Sequence, residues 1–462
     1  MCNVRNYLRR SGVVMEKKTD ILVIGGGPAG IISAVTAKKY YPGKEIVVMK
    51  SIANGCIPCG IPYMFASLDN PEDNKLGNAA LEKNNIEVIV NQAVKIDRAG
   101  KKVITKDSKE YGYEKLIIAV GSLPIVLPIK GVDKEGVYPI HKDMDYLMNV
   151  ISKVKKSKHI LVIGGGFIGV EFADELSKIQ NMKVTLVEML PGLLVNSFDP
   201  EFSETAENKL KENGVNVLTG TCVEEIIGTK AVEKVRFSNG QIIDVDGVIL
   251  GVGSRPNVKL AVDAGLEIGH CKGILVDEYM RTSDSDIFAV GDCSCKRDFY
   301  TRKAIPVMLA STATAEARIA GANLYQIKVV RENKGTIAIY STYINGIVLG
   351  SAGLTEKTAL KEGFEIVCGV VDGVDKHPAT LPGTVKSKVK LIFSKQSGII
   401  LGGQVSCGIS CAQVINLIGI AIQKRMSLTE LETLQMATHP YLTSAPTAYP
   451  LVLAALDAYS KM

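Results

Sequence analysis

The chain of 462 residues is too long for one hydrophobic core and predicts about two to four domains. Its 46% hydrophobic and 22% charged residues are typical of a soluble globular protein, and its net charge of +6 forms no dense basic tract that would favour nucleic acid. No apolar run is long enough to cross a bilayer, and the first residues lack the apolar segment of a secretory signal. Ten cysteines without such a signal favour a reducing, cytoplasmic compartment.

The first predicted nucleotide-binding unit follows an expected loose tail at residues 1–18. An apolar run at residues 21–24 is typical of a strand buried on both faces of a parallel sheet. After it comes a G-x-G-x-x-G turn, whose glycines permit a tight turn, a close approach of the backbone to a pyrophosphate and close packing of the next helix. The free N–H groups at the start of that helix face the phosphates. The residues predicted to hold the nucleotide are Gly25, Gly27, Pro28, Ala29 and Gly30.

Two thiols follow the second predicted strand, at residues 45–49, and ligands of an open α/β sheet lie beyond such strand ends. Cys56 and Cys59 form a Cys-x-x-Cys motif, so the sequence predicts thiol chemistry beside a bound dinucleotide. The acid that usually binds the ribose, about twenty residues after the glycines, is absent because Met49 and Lys50 stand there. A lysine cannot accept a hydrogen bond, so the ribose expected near Lys50 must be held in some other way, or the first ligand differs.

A second unit of strand, glycine turn, helix and strand begins with the apolar run at residues 160–163. One G-x-G-x-x-G motif is weak evidence, but two of them, each between a buried strand and a helix, are strong evidence. The expected acid is present here as Glu188. Its carboxylate repels a 2′-phosphate and no arginine follows to bind one, so NADH is favoured over NADPH. The residues predicted to hold this second nucleotide are Gly164, Gly166, Phe167, Ile168 and Gly169.

The remaining pattern predicts an α/β fold with two Rossmann-like dinucleotide-binding domains and a C-terminal α+β domain. A strand at residues 287–290 closes with Gly291 and Asp292 and is followed by an alanine-rich helix at 307–324. The C-terminal strands are expected at residues 336–340, 347–351, 389–393 and 399–405, and its helices near 411–423, 428–435 and 445–458. The predicted order is the tail at 1–18, the first nucleotide domain at 19–150 and 255–332, the second at 151–254, and the C-terminal domain at 333–462.

Together these motifs resemble the FAD-dependent pyridine nucleotide-disulfide oxidoreductases, and within them coenzyme A-disulfide reductase, NADH oxidase and NADH-dependent persulfide or polysulfide reductase. The resemblance covers nearly the whole chain. It rests on both glycine turns and on the runs at residues 58–63, 119–122 and 289–292. It implies that FAD binds the first unit, that NAD binds the second, and that the C-terminal domain forms a homodimer.

The resemblance also implies roles for single residues. Asp292 is expected to hydrogen-bond the ribityl chain of FAD. The helix after it is expected to aim its positive N-terminus at the flavin pyrimidine, with Ala310 and Ser311 as backbone donors. Glu171 matches a family glutamate near the nicotinamide. Further cofactor contacts are expected at Ala119, Gly121 and Gly253.

Cys59 matches the single active cysteine of the coenzyme A-disulfide reductase branch, which cycles between a thiolate and a mixed disulfide or sulfenic acid. The thiolate is the nucleophile, and a helix start at Cys59 is expected to lower the pKa of the thiol. A buried structural cysteine is the alternative. Cys56 departs from the single-cysteine branch, and the spacing of the pair departs from the Cys-x4-Cys of lipoamide and glutathione reductases. Cys56 is therefore either a thiol that resolves an oxidised Cys59 as a disulfide or a passive thiol.

His439 matches a His-Pro of the disulfide reductases, whose histidine reaches from one subunit to the thiols of the other and moves a proton. Its usual glutamate partner is absent, since Thr443 and Ser444 stand there, so a histidine that only structures the turn is the alternative. The histidine of the peroxidase relatives is missing from the first glycine turn, which disfavours a peroxidase. No metal is expected, because the spacing of the other cysteines does not match a zinc site; Cys222, Cys271 and Cys368 are expected in the core, and Cys293 and Cys295 behind the flavin.

The sequence therefore predicts a homodimeric flavoenzyme that takes hydride from NADH and passes two electrons through FAD to Cys59, which reduces a small-molecule disulfide, persulfide or polysulfide. Lys38 and Lys39 are candidates for an anionic substrate such as coenzyme A, and solvated surface lysines are the alternative. One rival is an NADH oxidase, in which O2 takes electrons directly from the flavin. The other rival is a non-catalytic nucleotide-binding redox sensor that signals through its thiols. No nucleic acid or membrane partner is expected.

Overall fold

The computed structural model of the protein describes residues 14–331 and 335–462. Two parallel five-stranded sheets and one antiparallel five-stranded sheet form its framework. This arrangement confirms the predicted class, two Rossmann-like domains followed by an α+β domain. No helix among the described residues is long and apolar enough to cross a membrane.

The first parallel sheet is assembled from both ends of the first nucleotide domain. Its strands, in spatial order, are Ile287–Ala289, Lys115–Ile118, Ile21–Ile24, Ile46–Lys50 and Glu87–Val90. The chain thus returns to this sheet after building the second one. The returning helix Ala310–Ala322 packs against Pro28–Tyr40, where the missing side chain of Gly321 lets the helices approach closely. The predicted helix at 307–324 is shorter than expected because an extended segment ends only at Leu309.

The second parallel sheet has the same plan. Its strands, in spatial order, are Val137–Pro139, Gly247–Leu250, His159–Ile163, Lys183–Val187 and Asn216–Leu218. Its helices are Met144–Val154, Phe167–Ser177 and Pro200–Glu212, and an antiparallel sheet of Val223–Ile227, Lys234–Phe237 and Ile242–Asp244 lies beside it. The two connections between the nucleotide domains, Ser122–Pro124 and Ser254–Pro256, pair with each other as antiparallel strands. The predicted boundary between residues 150 and 151 therefore lies too late in the chain, because Val137–Pro139 is already a strand of the second sheet.

The C-terminal sheet is antiparallel and is covered by helices. Its strands, in spatial order, are Ile339–Ile344, Ile347–Gly353, Ile400–Cys407, Lys386–Ser394 and Ile366–Val374, and its helices are Glu356–Lys361, Val414–Lys424, Leu428–Glu432 and Pro450–Tyr459. The last of these strands was not predicted, because Gly369, Asp372 and Gly373 interrupt its apolar pattern. The structure gives Gly369 a packing reason, since a Cβ atom there would lie 1.7 Å from the carbonyl oxygen of Ala454.

The expected tail at 1–18 is wrong for residues 14–18. Val14–Lys18 is a strand that pairs in parallel with Lys109–Gly112, in a sheet completed by Lys102–Thr105 and Ala93–Asp97. Residues 1–13 lie outside the described residues. The remaining short elements are the strands Gly55–Cys56, Lys75–Leu76, Lys296–Arg297 and Ala304–Ile305, the helices Ala79–Glu82 and Lys259–Asp263, and the 3-10 turns Pro58–Gly60, Pro62–Met64, Pro71–Asn74, Gly291–Cys293, Ile409–Cys411 and Pro446–Ala448.

The cysteines expected in the core differ in their surroundings. Cys222 is exposed, and Cys368 is only partly buried. Cys271 and Cys295 form a disulfide with each other, whereas Cys293 is fully buried beside the backbone of the first sheet. The prediction that Cys222 and Cys271 are core thiols is therefore wrong.

Candidate active site

One large cleft of about 1490 Å³ lies at the carboxyl ends of the strands of both parallel sheets. Both glycine turns line it, together with the Cys59 loop, the turn at Asp292 and the start of the helix Ala310–Ala322. Ligands of open α/β sheets bind outside these strand ends. A single cleft therefore joins the two nucleotide sites and the thiol loop.

The three glycines of the first turn serve three different purposes. Gly25 has a φ of +121°, and a Cβ atom there would lie 2.1 Å from the carbonyl oxygen of Ala119. A Cβ atom on Gly30 would lie 1.9 Å from the carbonyl oxygen of Gly25, so this glycine lets the helix pack on the turn. At Gly27, by contrast, no described atom lies within 4 Å of that position. The backbone of Gly27 faces open space in the cleft, which fits a pyrophosphate.

The second turn repeats this geometry. Gly164 has a φ of +107°, and a Cβ atom on Gly169 would lie 1.8 Å from the carbonyl oxygen of Gly164. No described atom lies within 4 Å of the Cβ position of Gly166. The carboxylate of Glu188 accepts hydrogen bonds from the backbone N–H groups of Gly165 and, at 2.7 Å, of Leu190. Glu188 thus supports the turn and also lines the cleft.

Three helices direct their N-termini towards the cleft, beginning at Pro28, Phe167 and Ala310. None of the described side chains caps these helices, and none of their first turns carries an acidic residue. Their free N–H groups and positive dipole ends are therefore available to anionic groups of a ligand. Ser311 is exposed and follows Ala310 outside the lining of the cleft.

Lys50 lines the first nucleotide site but binds its own loop. Its Nζ donates to the carbonyl oxygen of Ala53 and to Oδ1 of Asn78, each at 3.0 Å. Its aliphatic chain packs against Gly26, where a Cβ atom would lie 2.8 Å from Cδ of Lys50. The side chain of Lys50 therefore packs against the glycine turn. It provides no carboxylate to replace the ribose-binding acid that is absent at this position.

Asn74 holds the loop that carries Cys59. The side-chain N–H of Asn74 donates to the backbone carbonyl oxygen of Ile57 at 3.0 Å, and the backbone carbonyl oxygen of Asn74 accepts from the N–H of Ile57 at 2.9 Å. Gly60 permits this contact, because a Cβ atom there would lie 1.9 Å from Oδ1 of Asn74. Both thiols of the loop are free: Cys59 is exposed in the cleft, whereas Cys56 is buried and its pKa is raised to about 11 by that burial.

The pKa of Cys59 is raised, which contradicts the prediction that a helix start lowers it. The main cause is desolvation by the surrounding protein, followed by the negative charge of Glu171. Lys142 opposes this shift, and Asp292 adds to it. The loop forms two separate 3-10 turns, Pro58–Gly60 and Pro62–Met64, which are too short to supply the dipole of a full helix.

Asp292 lies in a small polar cluster that the sequence alone did not reveal. Its Oδ2 accepts from Oγ of Ser122 at 2.7 Å and from Nζ of Lys142 at 3.2 Å. Lys142 also donates to Oγ of Ser122 at 3.0 Å. Ser122 and Asp292 are 20 and 150 positions away from Lys142 in the sequence, so no local motif indicates this cluster. Lys142 is a cation in the cleft that favours the Cys59 thiolate.

Glu171 lies on the helix of the second glycine turn and lines the cleft. Its pKa is raised to about 7, chiefly because burial disfavours the carboxylate. Thr342, which sequence reasoning also missed, opposes the shift by donating to Oε1 at 2.9 Å. A carboxyl group with this pKa changes charge near neutral pH.

Some predicted site residues do not reach the cleft of the same chain. His439 is exposed in a turn in which its N–H donates to Oγ1 of Thr443 at 3.1 Å and its Nδ1 accepts from the N–H of Tyr441 at 3.3 Å. This contact corresponds to the turn-structuring alternative, and the action of His439 on a second subunit stays a prediction. Lys38 donates to backbone oxygens at the far end of its helix, so the candidate coenzyme A contact there is unsupported. Among the described residues, no three His, Cys, Asp or Glu side chains form a group that could hold a metal ion.

Fold and site together define a redox protein with two dinucleotide sites that meet at a thiol. The family model described as pyridine nucleotide-disulphide oxidoreductase matches residues 19–317, and that of the corresponding dimerisation domain matches residues 339–449. The chain belongs to this family and is an FAD-dependent NAD(P)H oxidoreductase. The open backbone at Gly27 and Gly166 and the three uncapped helix starts fit its two cofactors.

Several relatives match over nearly their whole length. An NADH oxidase from Methanocaldococcus jannaschii is 32% identical over 460 residues, covering 96% of this chain and 99% of the relative. A CoA-dependent NAD(P)H sulfur oxidoreductase from Pyrococcus abyssi is 30% identical over 398 residues, covering 85% and 88%. The solved structure of a NAD-dependent persulfide reductase from A. fulgidus superposes with a TM-score of 0.88 and 30% identity, covering 96% of this chain and 83% of that one.

Proposed function

We propose that the protein is a homodimeric NADH-dependent reductase that passes two electrons through FAD to Cys59 and from there to a small-molecule disulfide, persulfide or polysulfide. The observation that carries this proposal is the free thiol of Cys59, accessible in the same cleft as both glycine turns. The relatives named as sulfur and persulfide reductases support the substrate class.

Cys59 acts as the nucleophile in this proposal. Its thiolate attacks one sulfur atom of R–S–S–R′, which forms a Cys59–S–S–R mixed disulfide and releases R′S⁻, and R′S⁻ then takes a proton. Two electrons from NADH cleave the mixed disulfide, releasing RS⁻ and restoring the thiolate. FAD supplies the two-electron carrier between nicotinamide and sulfur. The net change is NADH, one proton and R–S–S–R′ converted to NAD⁺ and two thiols.

The surrounding residues suit this role in different ways. Lys142 provides the positive charge that favours the thiolate, and Asn74 fixes the loop so that Cys59 stays in the cleft. Cys56 is buried within a hydrophobic cluster with Met64 and Phe65, so we assign it a packing role rather than the first attack.

Glu188 supports the preference for NADH. Its carboxylate lines the second nucleotide site and is tied to the backbone of the turn, where a 2′-phosphate would meet its negative charge. The residues that follow it, 189–197, contain no lysine or arginine that could bind that phosphate.

The decisive experiment replaces Cys59 by serine in the FAD-loaded protein. We expect turnover of disulfide, persulfide and polysulfide to fall by at least about a thousandfold, because the attacking thiolate is lost and the other exposed thiol of the cleft, Cys222, lies in the second nucleotide domain and outside the Cys59 loop. NADH should also produce a long-wavelength thiolate–flavin absorption band in the native protein and none in Cys59→Ser. Cys56→Ser is the matched control and should keep most of the activity. Disulfide turnover that survives in Cys59→Ser would refute the proposal.

The second candidate function is that of an NADH oxidase, which the 32% identical relative favours. In that case O2 takes electrons at the flavin, and reduction of O2 to peroxide should persist in Cys59→Ser. Comparing O2 and disulfide turnover in the same variant separates the two functions. Repeated turnover of NADH with any acceptor would also exclude a non-catalytic sensor.

A further inference from the structure

Two residues of the C-terminal domain contact the helix that carries the second glycine turn. The ring of Tyr340 stacks on that of Phe167, with centroids 4.9 Å apart and an interplanar angle of 23°. The hydroxyl of Thr342 donates to Oε1 of Glu171 at 2.9 Å, and Thr342 is buried. Both contacts cross from one domain to another, which a domain that served only for dimer formation would not need.

The spacing of the two elements matches at this contact. Tyr340 and Thr342 are two residues apart on a strand, so they share one face and lie about 6.8 Å apart. Phe167 and Glu171 are four residues apart on a helix, which is a rise of about 6 Å on one face. The strand Ile339–Ile344 is the edge strand of its sheet, so its outer side is free to lie against the helix.

Other contacts between the domains hold this strand in place. Ile344 and Leu349 of the C-terminal hairpin belong to one hydrophobic cluster with Phe65 of the thiol loop and Phe172 of the helix. A second contact is a buried ionic cluster around Lys390. Its Nζ lies 3.1 Å from Asp199 and 2.8 Å from Glu201 of the second nucleotide domain, and 2.6 Å from Glu356 of its own domain.

The strand contacts act on residues that line the cleft together with Cys59. Glu171 is faced by Asp174 and Glu175 of its own helix, both paired with Lys178, by Cys59 and Tyr63 of the thiol loop, and by Thr342. Lys142 and Asp292 also act electrostatically on Cys59. In this acidic surrounding the Thr342 hydroxyl is the donor that stabilises the ionised carboxylate.

We propose that Tyr340 and Thr342 are positioning residues for the reaction, Tyr340 by fixing the Phe167 ring and Thr342 by holding the Glu171 carboxylate, through its hydrogen bond, directed into the cleft. The assignment rests on the proposed function, in which this side of the cleft holds the nicotinamide. A carboxylate there stabilises the positive charge of NAD⁺ that hydride transfer creates. The C-terminal domain thereby contributes to the site of its own chain.

The test of Thr342 measures the protonation of Glu171 in the FAD-loaded protein. The infrared band of the protonated carboxyl group is titrated between pH 5 and about pH 9 and assigned by its loss in Glu171→Gln. We expect a midpoint of about 7 in the native protein, because burial of Glu171 raises the pKa of its carboxyl group to about 7. Thr342→Val removes the donor and should move the midpoint to higher pH, whereas Thr342→Ser should restore it. An unchanged midpoint in Thr342→Val would overturn the assignment of Thr342. If the valine variant does not fold, Thr342→Ala is titrated in its place.

The test of Tyr340 measures the affinity for NAD⁺ by calorimetry and the steady-state constants for NADH. Loss of the stack in Tyr340→Leu should weaken NAD⁺ binding and raise the KM for NADH by about three- to tenfold, with kcat changed less. Tyr340→Phe keeps the stacked ring and should behave like the native protein. Equal NAD⁺ affinities in Tyr340→Leu and Tyr340→Phe would refute the role of Tyr340. If Tyr340→Leu does not fold, the proposal is decided by the titration of the Thr342 variants. Neither measurement requires the thiol of Cys59, so a failure of the proposed function in the Cys59 test is distinguishable from a failure of this inference.

Discussion

At the scale of single residues, Glu188 combines two effects that are separable by substitution. Its carboxylate accepts two backbone hydrogen bonds in the second glycine turn. We propose that its charge also opposes a phosphate on the adenosine ribose. A neutral acceptor keeps part of the first effect and loses the second. The residue therefore offers a direct test of coenzyme choice.

We predict that Glu188→Gln lowers the preference for NADH over NADPH, measured as the ratio of kcat/KM values, by at least about tenfold. The reason is that the glutamine does not repel the 2′-phosphate yet still accepts a backbone hydrogen bond. Glu188→Ala should lower the same ratio and also weaken binding of NADH, because the N–H groups of Gly165 and Leu190 lose their acceptor. An unchanged ratio in both variants would contradict the role of this charge.

The sequence predicted those residues whose role follows from the chain immediately around them. The glycines, Glu188 and Cys59 each belong to a short motif with a physical requirement, and one cleft is lined by both glycine turns, Glu188 and Cys59. Lys142, Thr342 and Tyr340 could not be predicted, because each acts on a partner that is distant in the chain. The pKa of Cys59 was predicted in the wrong direction, since its main cause is desolvation by the surrounding protein, followed by the charge of Glu171 on a distant helix.

At the scale of elements, different glycines of the first glycine turn serve folding and cofactor binding. Gly30 lies where the helix Pro28–Tyr40 packs on the turn, and Gly27 lies where the turn faces the cleft. The same substitution at the two positions therefore has different physical consequences.

We predict that Gly30→Ala destabilises the apoprotein, lowering its Tm by about 5 °C or more, because the new Cβ atom collides with the backbone of Gly25. Gly27→Ala should leave the Tm of the apoprotein within about 2 °C, since that Cβ atom enters open space. It should nevertheless weaken FAD binding by at least about tenfold, because we expect the pyrophosphate in that open space. Calorimetric melting and flavin titration measure the two effects, and a Gly27→Ala variant with native FAD affinity would contradict this division.

Prediction of elements from the sequence succeeded where the apolar pattern is regular. Buried strands such as Ile21–Ile24 and His159–Ile163 are continuous apolar runs, and the structure contains both. The strand Ile366–Val374 escaped prediction because its glycines, which allow the last helix to pack closely, erase that pattern. The strand Val14–Lys18 escaped because its partner, Lys109–Gly112, lies far along the chain.

At the scale of the whole molecule, the C-terminal domain presents an apolar helix face that a partner subunit would cover. On the helix Val414–Lys424, Leu417 is 44% exposed and Ile420 is 55% exposed. Large exposed apolar side chains one helical turn apart are typical of an interface. This face agrees with the match to the family's dimerisation domain.

We predict that Ile420→Asp lowers the mass measured by light scattering from twice 49.6 kDa to 49.6 kDa, because it places a charge in an apolar interface. Val90→Asp, at a residue that is 55% exposed on the first sheet, is the control and should remain dimeric. If His439 serves the partner's thiol, the monomer should also lose disulfide turnover while still reducing a flavin-accepting dye with NADH. A dimer that persists in Ile420→Asp would place the interface elsewhere.

The paired connections Ser122–Pro124 and Ser254–Pro256 determine how the first domain can form although its chain is interrupted. The outgoing and returning segments are neighbouring strands, so the inserted domain starts and finishes at almost the same point in space. Once folded, that insert acts on its host as a short closed loop would, and the entropic penalty of bringing the distant halves together is correspondingly small. The second nucleotide domain is therefore a long insertion in the sequence, but its two ends lie side by side at the first domain.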